Sequence, residues 1–541
     1  MGKLAELPAS EERQTASLRR TITWVDAFWV SSGAPALLLF TIGALAATVG
    51  NPAWIVWIVS ISFGFLQSFI YAEIAGLFPH KSGGASIYGA IAWVRYGKLL
   101  APISVWCNWI AWSPVLALGT SLAAGYIMSI LFAPDAVVNT WAITLVDLGW
   151  IRKGLTIRIN ASAILAGLFI LVVFFIQHRG ILRAARVQMI FAISSLLPLI
   201  LIGLVPLITG DLPLDHFAPL VPLAHDAIGR AVPGHWTMAG ITVLAGGMAI
   251  AGWSTYGFET AVCYTREFRD PARDTFKAIF FSGLLCLLIF TLVPVAFQGA
   301  MGLTGLLRPG IRSGMGVAKA MAEMVGASGM VENVIVVLLV MTLLLAVMTA
   351  MAGSSRTLYQ GAVDGWLPRY LARINHNGAP TRAMWTDLGF NLILLMMSDN
   401  IFVLAASNVA YFIFIFMNLN AGWIHRIDRP NWIRPFKAPN WLLATGAALG
   451  YVNLFIIGLG SDIWGPGTLV SGLVLAAMII PVFCWRHYVV DKGVFPPSMN
   501  EDMYLDIGED AMERPSAGIL PYVALAGGAL VIAIGHAMAV F

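Results

Sequence analysis

The chain has 541 residues, 59% of them hydrophobic and 11% charged, with a net charge of +4 and a mean hydropathy of +0.80. These proportions exclude a soluble globular domain and describe an integral membrane protein. The Lys and Arg residues form no tract interleaved with aromatics, so nucleic acid is not expected as a partner.

Residues 1–20 are polar and charged. They lack the apolar core and small-residue cleavage site of a signal peptide and read as a cytoplasmic tail. Apolar runs then begin near Trp24, Pro52, Ile103, Arg158, Ala185, Met238, Ala278, Val331, Arg382, Ile401, Trp441, Pro466 and Ile519. They predict an all-α membrane protein of twelve spans with an added thirteenth. The first run, about Trp24 to Val49, is interrupted at its centre by Ser31-Ser32-Gly33-Ala34-Pro35. Pro35 lacks an N–H and its ring clashes with the preceding turn. Gly33 has weak helix propensity, and the two serine hydroxyls compete for backbone groups. Irregular backbone at membrane depth is tolerated only where it is buried in protein or lines a cavity. The interruption therefore marks a midplane binding site of the kind secondary transporters build.

Residues 21–209 hold spans one to five, and 210–430 hold spans six to ten. The second set opens on a Gly-rich helix, from Gly246-Gly247 through Gly252 to Gly257. An odd number of spans makes the second half enter from the opposite side. The result is a five-plus-five inverted repeat whose disturbed first and sixth spans meet. Spans eleven and twelve occupy 431–490, a solvated acidic cytoplasmic linker 491–515, and the extra C-terminal span 516–541. The loop from Met301 to Glu332 has room for a short lid helix. With the N-terminus cytoplasmic, the outer side carries Arg152, Lys153, Arg158, Arg230, Arg308, Arg312 and Lys319, leaving 25 of the 32 Lys and Arg inside. That bias sets the orientation. Cys107, Cys263, Cys286 and Cys484 fit neither a metal site nor a disulfide framework, and the nine histidines lack ligand spacing. With no Ser/His, metal or paired-acid constellation, an enzyme is not expected, and no cofactor is implied.

Four stretches carry a family pattern. Tyr71-Ala72-Glu73-Ile74-Ala75-Gly76-Leu77-Phe78-Pro79, with Ser82-Gly83-Gly84-Ala85-Ser86-Ile87-Tyr88, closes span two. Phe258-Glu259-Thr260 and Glu267-Phe268-Arg269-Asp270-Pro271 follow span six. Ser355-Arg356-Thr357-Leu358-Tyr359, Asp364-Gly365-Trp366-Leu367-Pro368 and Gly378-Ala379-Pro380-Thr381 follow span eight, and Arg434-Pro435-Phe436-Lys437-Ala438-Pro439 follows span ten. Together, in this order, they resemble the amino acid–polyamine–organocation superfamily of permeases over roughly residues 20 to 490. The resemblance implies the five-plus-five fold with broken first and sixth spans.

A broken first helix offers half-helix amides to a carboxylate. Here the donors are Ser32, Gly33 and Ala34, beside Ser31, while carbonyls at Trp29 and near Trp253, Tyr256 and Gly257 suit an α-ammonium. Close packing between helices is the competing reading of Ser31–Gly33. By resemblance to antiporters of the family, Trp253 stacks on the substrate side chain. Glu259, an acid within a span, matches a glutamate treated in similar permeases as proton-sensing or structural. Asn108 and Trp112 are four apart on one face of span three, which either meets the substrate or packs. Glu73, at the inner end of span two, reads as a structural partner of a loop arginine.

Many proton-coupled relatives place a lysine in span five, where this chain has Ile193-Ser194-Ser195-Leu196-Leu197-Pro198. Thr349, with Ser194 or Ser195, stands where sodium-coupled relatives hold Na⁺, and hydroxyl oxygens suit a small hard cation. Glu259 as carrier of H⁺, or exchange without an ion, are the alternatives. No carboxylate cluster is present for a polyamine. The sequence thus reads as a secondary transporter of amino acids in the cell membrane, taking up a neutral amino acid by alternating access. A polyamine or amine exchanger and a non-transporting amino acid sensor are the competing readings. The partners are the substrate and the lipid bilayer, with no oligomeric state implied.

Overall fold

Long apolar segments cannot leave backbone groups unpaired in lipid, and the α-helix pairs them all within one segment. The computed structural model describes residues 18–133, 135–151, 153–226, 228, 230–504 and 516–540. Most of the N-terminal tail and residues 505–515 of the linker lie outside the described residues. Among the described residues, ten helices are long and apolar enough to cross a membrane, and the bent pair Trp24–Leu37 and Thr41–Val49 makes an eleventh. Ala161–Gln177 is apolar but shorter, and Thr381–Leu395 is a 15-residue helix of mixed composition. Helices thus stand over the thirteen runs, but only ten or eleven of them are long and apolar enough to span among the described residues, and the protein is a multi-pass, all-α membrane protein.

The first span breaks where Pro35 and Gly33 predict. An α-helix ends at Ser31, and a 3-10 turn, Ala34–Leu37, leads into the helix Leu38–Val49. Span six runs as an α-helix from Met238 to Thr255 and continues as a 3-10 helix, Gly257–Glu267. Eleven residues is long for a 3-10 segment; here its residues are almost all buried. The two interruptions pack on each other: a Cβ added at Gly257 would lie 3.1 Å from Ala34 Cβ and 3.0 Å from a Leu37 methyl.

Several connecting segments have structure that the sequence reading left as loop. Between spans two and three, Ala85–Trp93 forms a helix with all nine residues buried. The connection before span four contains a two-stranded hairpin, Ala142–Asp147 with Thr156–Asn160. The Met301–Glu332 loop, where the sequence left room for a short helix, holds Pro309–Arg312 and Val317–Met324. The first of these seats on span one so closely that a Cβ at Gly43 would meet the Ile311 carbonyl.

The linker expectation needs correction. Residues Pro497–Tyr504 form a helix, and within it Met499 and Asp502 are buried, so this part is not a solvated tether. Asp502 pairs with Lys81 at 2.7 Å and His80 at 2.7 Å, and Lys81 reaches Asp364 at 2.6 Å. Burial works against the Lys81 charge, but Asp364 and Asp502 outweigh it and hold the ammonium above its usual range. The acid at the end of span two pairs as the sequence indicated. Glu73 pairs with Arg426 at 2.7 Å and Arg434 at 3.2 Å, and accepts the Ala438 N–H at 2.8 Å.

Candidate functional site

At the first interruption most donors already have partners. The Gly33 N–H donates to Thr349 Oγ1 at 3.2 Å, and that hydroxyl donates to the Val30 carbonyl at 2.6 Å. Span eight thus stitches the break from the side, and it approaches so closely that a Cβ at Gly33 would lie 2.5 Å from the Leu345 carbonyl oxygen. The Ser32 N–H and hydroxyl both donate to the Trp29 carbonyl, at 3.3 and 2.6 Å. Ser31 donates to the Ala27 carbonyl and meets the Ser282 hydroxyl of span seven at 2.8 Å. The Trp29 carbonyl is therefore occupied in this conformation rather than open to an ammonium. A helix end closes on its own side chains whenever nothing else satisfies it.

At the second interruption the Tyr256 carbonyl accepts the Glu259 N–H at 3.1 Å. The Tyr256 ring turns towards span two, where a Cβ at Gly64 would lie 2.3 Å from it. Trp253 falls inside the last turns of the α-helix, fully buried, and donates through Nε1 to the Ala111 carbonyl at 3.0 Å. It is stacked on Trp112 with ring centroids 6.4 Å apart. The two residues that the sequence placed on different spans of the site thus form one aromatic layer. Trp112 donates in turn to Glu259 Oε1 at 3.1 Å, and the Tyr411 hydroxyl of span ten donates to the same oxygen at 2.9 Å. Asn108 stands beside this layer, its amide donating to Ser86 and Thr357.

The two span-five serines part company. A π-helical turn covers Ala192–Leu196. Ser194 lies on the outer, exposed side and bonds its own helix, while buried Ser195 accepts from Thr342 at 3.0 Å. Adjacent helical positions point in different directions, so neither joins Thr349 at the break. Among the described residues no group of His, Cys, Asp and Glu could hold a metal ion.

Sequence reasoning passed over Asp387, in the short ninth span. Fully buried, it accepts from Trp109 Nε1 at 3.0 Å, from Ser354 at 2.5 Å and from Ser113. An acid inside an apolar run was the available signal. Also missed was a link between the broken spans, Thr41 Oγ1 to Ser254 Oγ at 2.9 Å. Thr41 and Ile250 border a cavity of about 430 Å³ on the hairpin side of the bundle, which Arg158 and Arg312 also line.

The sequence matches the amino acid permease family over residues 22–482, a range that includes both interruptions and every side chain of the Trp112–Glu259 layer. The chain belongs to that family. It is 26% identical over 353 residues to the Asc-type amino acid transporter 1 of Mus musculus, covering 64% of this chain and 58% of the mouse protein. It is 25% identical over 347 residues to the arginine/ornithine antiporter of Pseudomonas aeruginosa, covering 63% of each. The permease thus spans somewhat under two thirds of the length of either relative.

Proposed function

We propose that this permease is a secondary transporter that takes up a neutral amino acid across the cell membrane by alternating access, with its N-terminus cytoplasmic. The observation that carries the reading is the meeting of two helix interruptions beside a buried carboxylate. Backbone amides and carbonyls at such a meeting can receive a carboxylate and an ammonium a few ångströms apart. In the present conformation those groups bond within the protein, so substrate exchanges partners with them as the broken spans separate. Trp29, Ser31, Ser32, Gly33, Ala34, Tyr256 and Gly257 form the backbone part of this site. Trp253 and Trp112 wall the side-chain part.

Charge supports a neutral over a basic substrate. The lining of the 430 Å³ cavity includes Arg158 and Arg312 and no Asp or Glu. A guanidinium or polyamine approaching there meets like charge, whereas the carboxylate of a neutral amino acid is attracted. The same geometry supports a choice of coupling. The Thr349 hydroxyl is engaged with Val30 and Gly33 and has neither span-five serine beside it, so the hydroxyl set that would hold Na⁺ is not assembled. Glu259 is our choice of proton carrier.

Uptake into proteoliposomes tests this. Expected are inhibition by neutral amino acids stronger than by arginine, ornithine or putrescine, and accumulation driven by an imposed pH gradient but not by a Na⁺ gradient. Inhibition by putrescine or arginine alone overturns the substrate reading, and Na⁺-driven accumulation overturns the coupling. Gly33→Leu and Trp253→Ala each lower uptake; unchanged uptake in both removes the site.

A further inference from the structure

Glu259 has one oxygen that the protein leaves without a partner. Oε1 receives both Trp112 Nε1 and the Tyr411 hydroxyl. Oε2 is buried and receives nothing. A second orphan lies nearby: Asn108 Oδ1 is likewise buried and unpaired. Its orientation is fixed by its surroundings. The Asn108 amide nitrogen bonds Ser86 Oγ at 3.0 Å and Thr357 Oγ1 at 3.2 Å. Both of those hydroxyls spend their protons on the Gly83 carbonyl, at 3.3 and 2.8 Å. With their protons so placed they accept from Asn108, and this orientation leaves Oδ1 as the unpaired atom.

Asn108 and Glu259 border the same void. Gly84 and Gly353 contribute walls without side chains, and Ala85, Trp112, Thr260 and Cys263 complete the lining. The surrounding residues are all buried. The space open to the centre of a water molecule is about 10 Å³, which admits one water and not two. Two buried acceptors without a donor are costly, because each has given up its bonds to water and gained none in exchange. A single molecule with two O–H groups satisfies both. A bare hard cation fits less well, because such ions gather about six or more oxygens and the side chains here offer Glu259, Asn108 and the Thr260 hydroxyl, which is bonded to the Gly257 carbonyl at 3.0 Å.

We propose that this void is a site for one water molecule, which bridges Glu259 Oε2 to Asn108 Oδ1 and is the partner through which Glu259 gains and loses its proton. The proton-transfer part rests on Glu259 being the proton carrier; the water site does not. Trp112 Nε1 can only donate, so Oε1 stays an acceptor and protonation falls on Oε2, facing the water. Hydronium there passes its proton to the carboxylate and is left as water, and the reverse step regenerates it. The titratable groups around Glu259 are Tyr71 of span two, Tyr411 of span ten, and Tyr256 and Cys263 of its own segment. The walls from Ala85–Trp93 and from span eight bring Gly84, Ala85 and Gly353, which do not titrate. Asn108 is in this account a holder of water rather than a contact for substrate.

Gly353→Ala fills the void without touching either oxygen. Its methyl would sit 3.2 Å from Thr260 Cγ2 and 3.7 Å from Cys263 Sγ, a fit that asks for a few tenths of an ångström. Two measurements decide the matter. A high-resolution map of the wild type should show one density peak within hydrogen-bond distance of both oxygens; a dry void overturns the site. In proteoliposomes, Gly353→Ala and Asn108→Leu should each reduce pH-driven accumulation about tenfold while exchange of external for internal substrate continues, which also shows that each variant is folded. If a variant does not fold, the wild-type map alone decides. Undiminished pH-driven accumulation in a folded variant overturns the proton role. Wild-type accumulation that ignores pH, with the peak present, overturns the carrier reading and leaves the water site standing.

Discussion

Glu73, Asp387 and Glu259 are all carboxylates within or beside apolar helices, and what separates them is their partners. Glu73 is matched by two arginines, Asp387 by three neutral donors, and Glu259 by two donors on one oxygen only. The pairing of Glu73 was legible because its position beside a helix end implied a loop arginine. The closure around Asp387 was not, since its donors come from spans three and eight, far away in sequence. Removing Glu73 leaves Arg426 and Arg434, 14% and 6% exposed, without their counter-charge. Breaking a buried pair in this way costs about 3–5 kcal/mol. Glu73→Ala should therefore lower the melting temperature of purified protein markedly. Adding Arg426→Met and Arg434→Met should recover part of the loss, since uncharged partners no longer need it.

The interruption in span one was readable from Gly33 and Pro35, residues that weaken any helix. What fills it was not, because the hydroxyl bonded to it belongs to Thr349, more than 300 residues downstream. Thr349 drew notice as a cation ligand, yet the structure uses it as a stitch between Gly33 and Val30. Thr349→Val keeps the shape and removes the hydroxyl, leaving a buried N–H and a buried carbonyl each short of a bond. The cost is about 1–3 kcal/mol for each group. Thermal melts should fall for Thr349→Val and return towards wild type for Thr349→Ser. If valine melts like wild type, the break is held by packing alone. The same reasoning separates Ser194 from Ser195: composition made them equivalent, and only the π-helical turn sends one outward and the other to Thr342.

For the whole molecule, apolar runs sufficed to mark the stretches that fold as long helices, ten or eleven of them able to span a membrane among the described residues, and the two disturbed spans. The ion cluster was invisible because it joins three stretches that no local pattern connects: His80–Lys81, Asp364 and Asp502. Composition alone made residues 497–504 look solvated; packing makes them part of one end of the bundle. Burial pushes the Asp502 carboxyl up, but hydrogen bonds from His80 and Lys81 and the Lys81 charge outweigh it, and the group sits below its ordinary value. A carboxyl held down in the folded state stabilises it at pH values above the unfolded value of about 3.9, and that contribution is lost as pH falls through the folded value. Asp502→Asn removes the charge at every pH. The variant should therefore melt below wild type at neutral pH, by an amount matching about 1–3 kcal/mol for a bond to a charged group. The gap between the two melting curves should close as the pH falls below the ordinary carboxylate range, where the wild-type group is also neutral. A gap that persists unchanged into acid would mean that Asp502 acts through the shape of its helix, and that the charge on Lys81 is balanced by Asp364 alone.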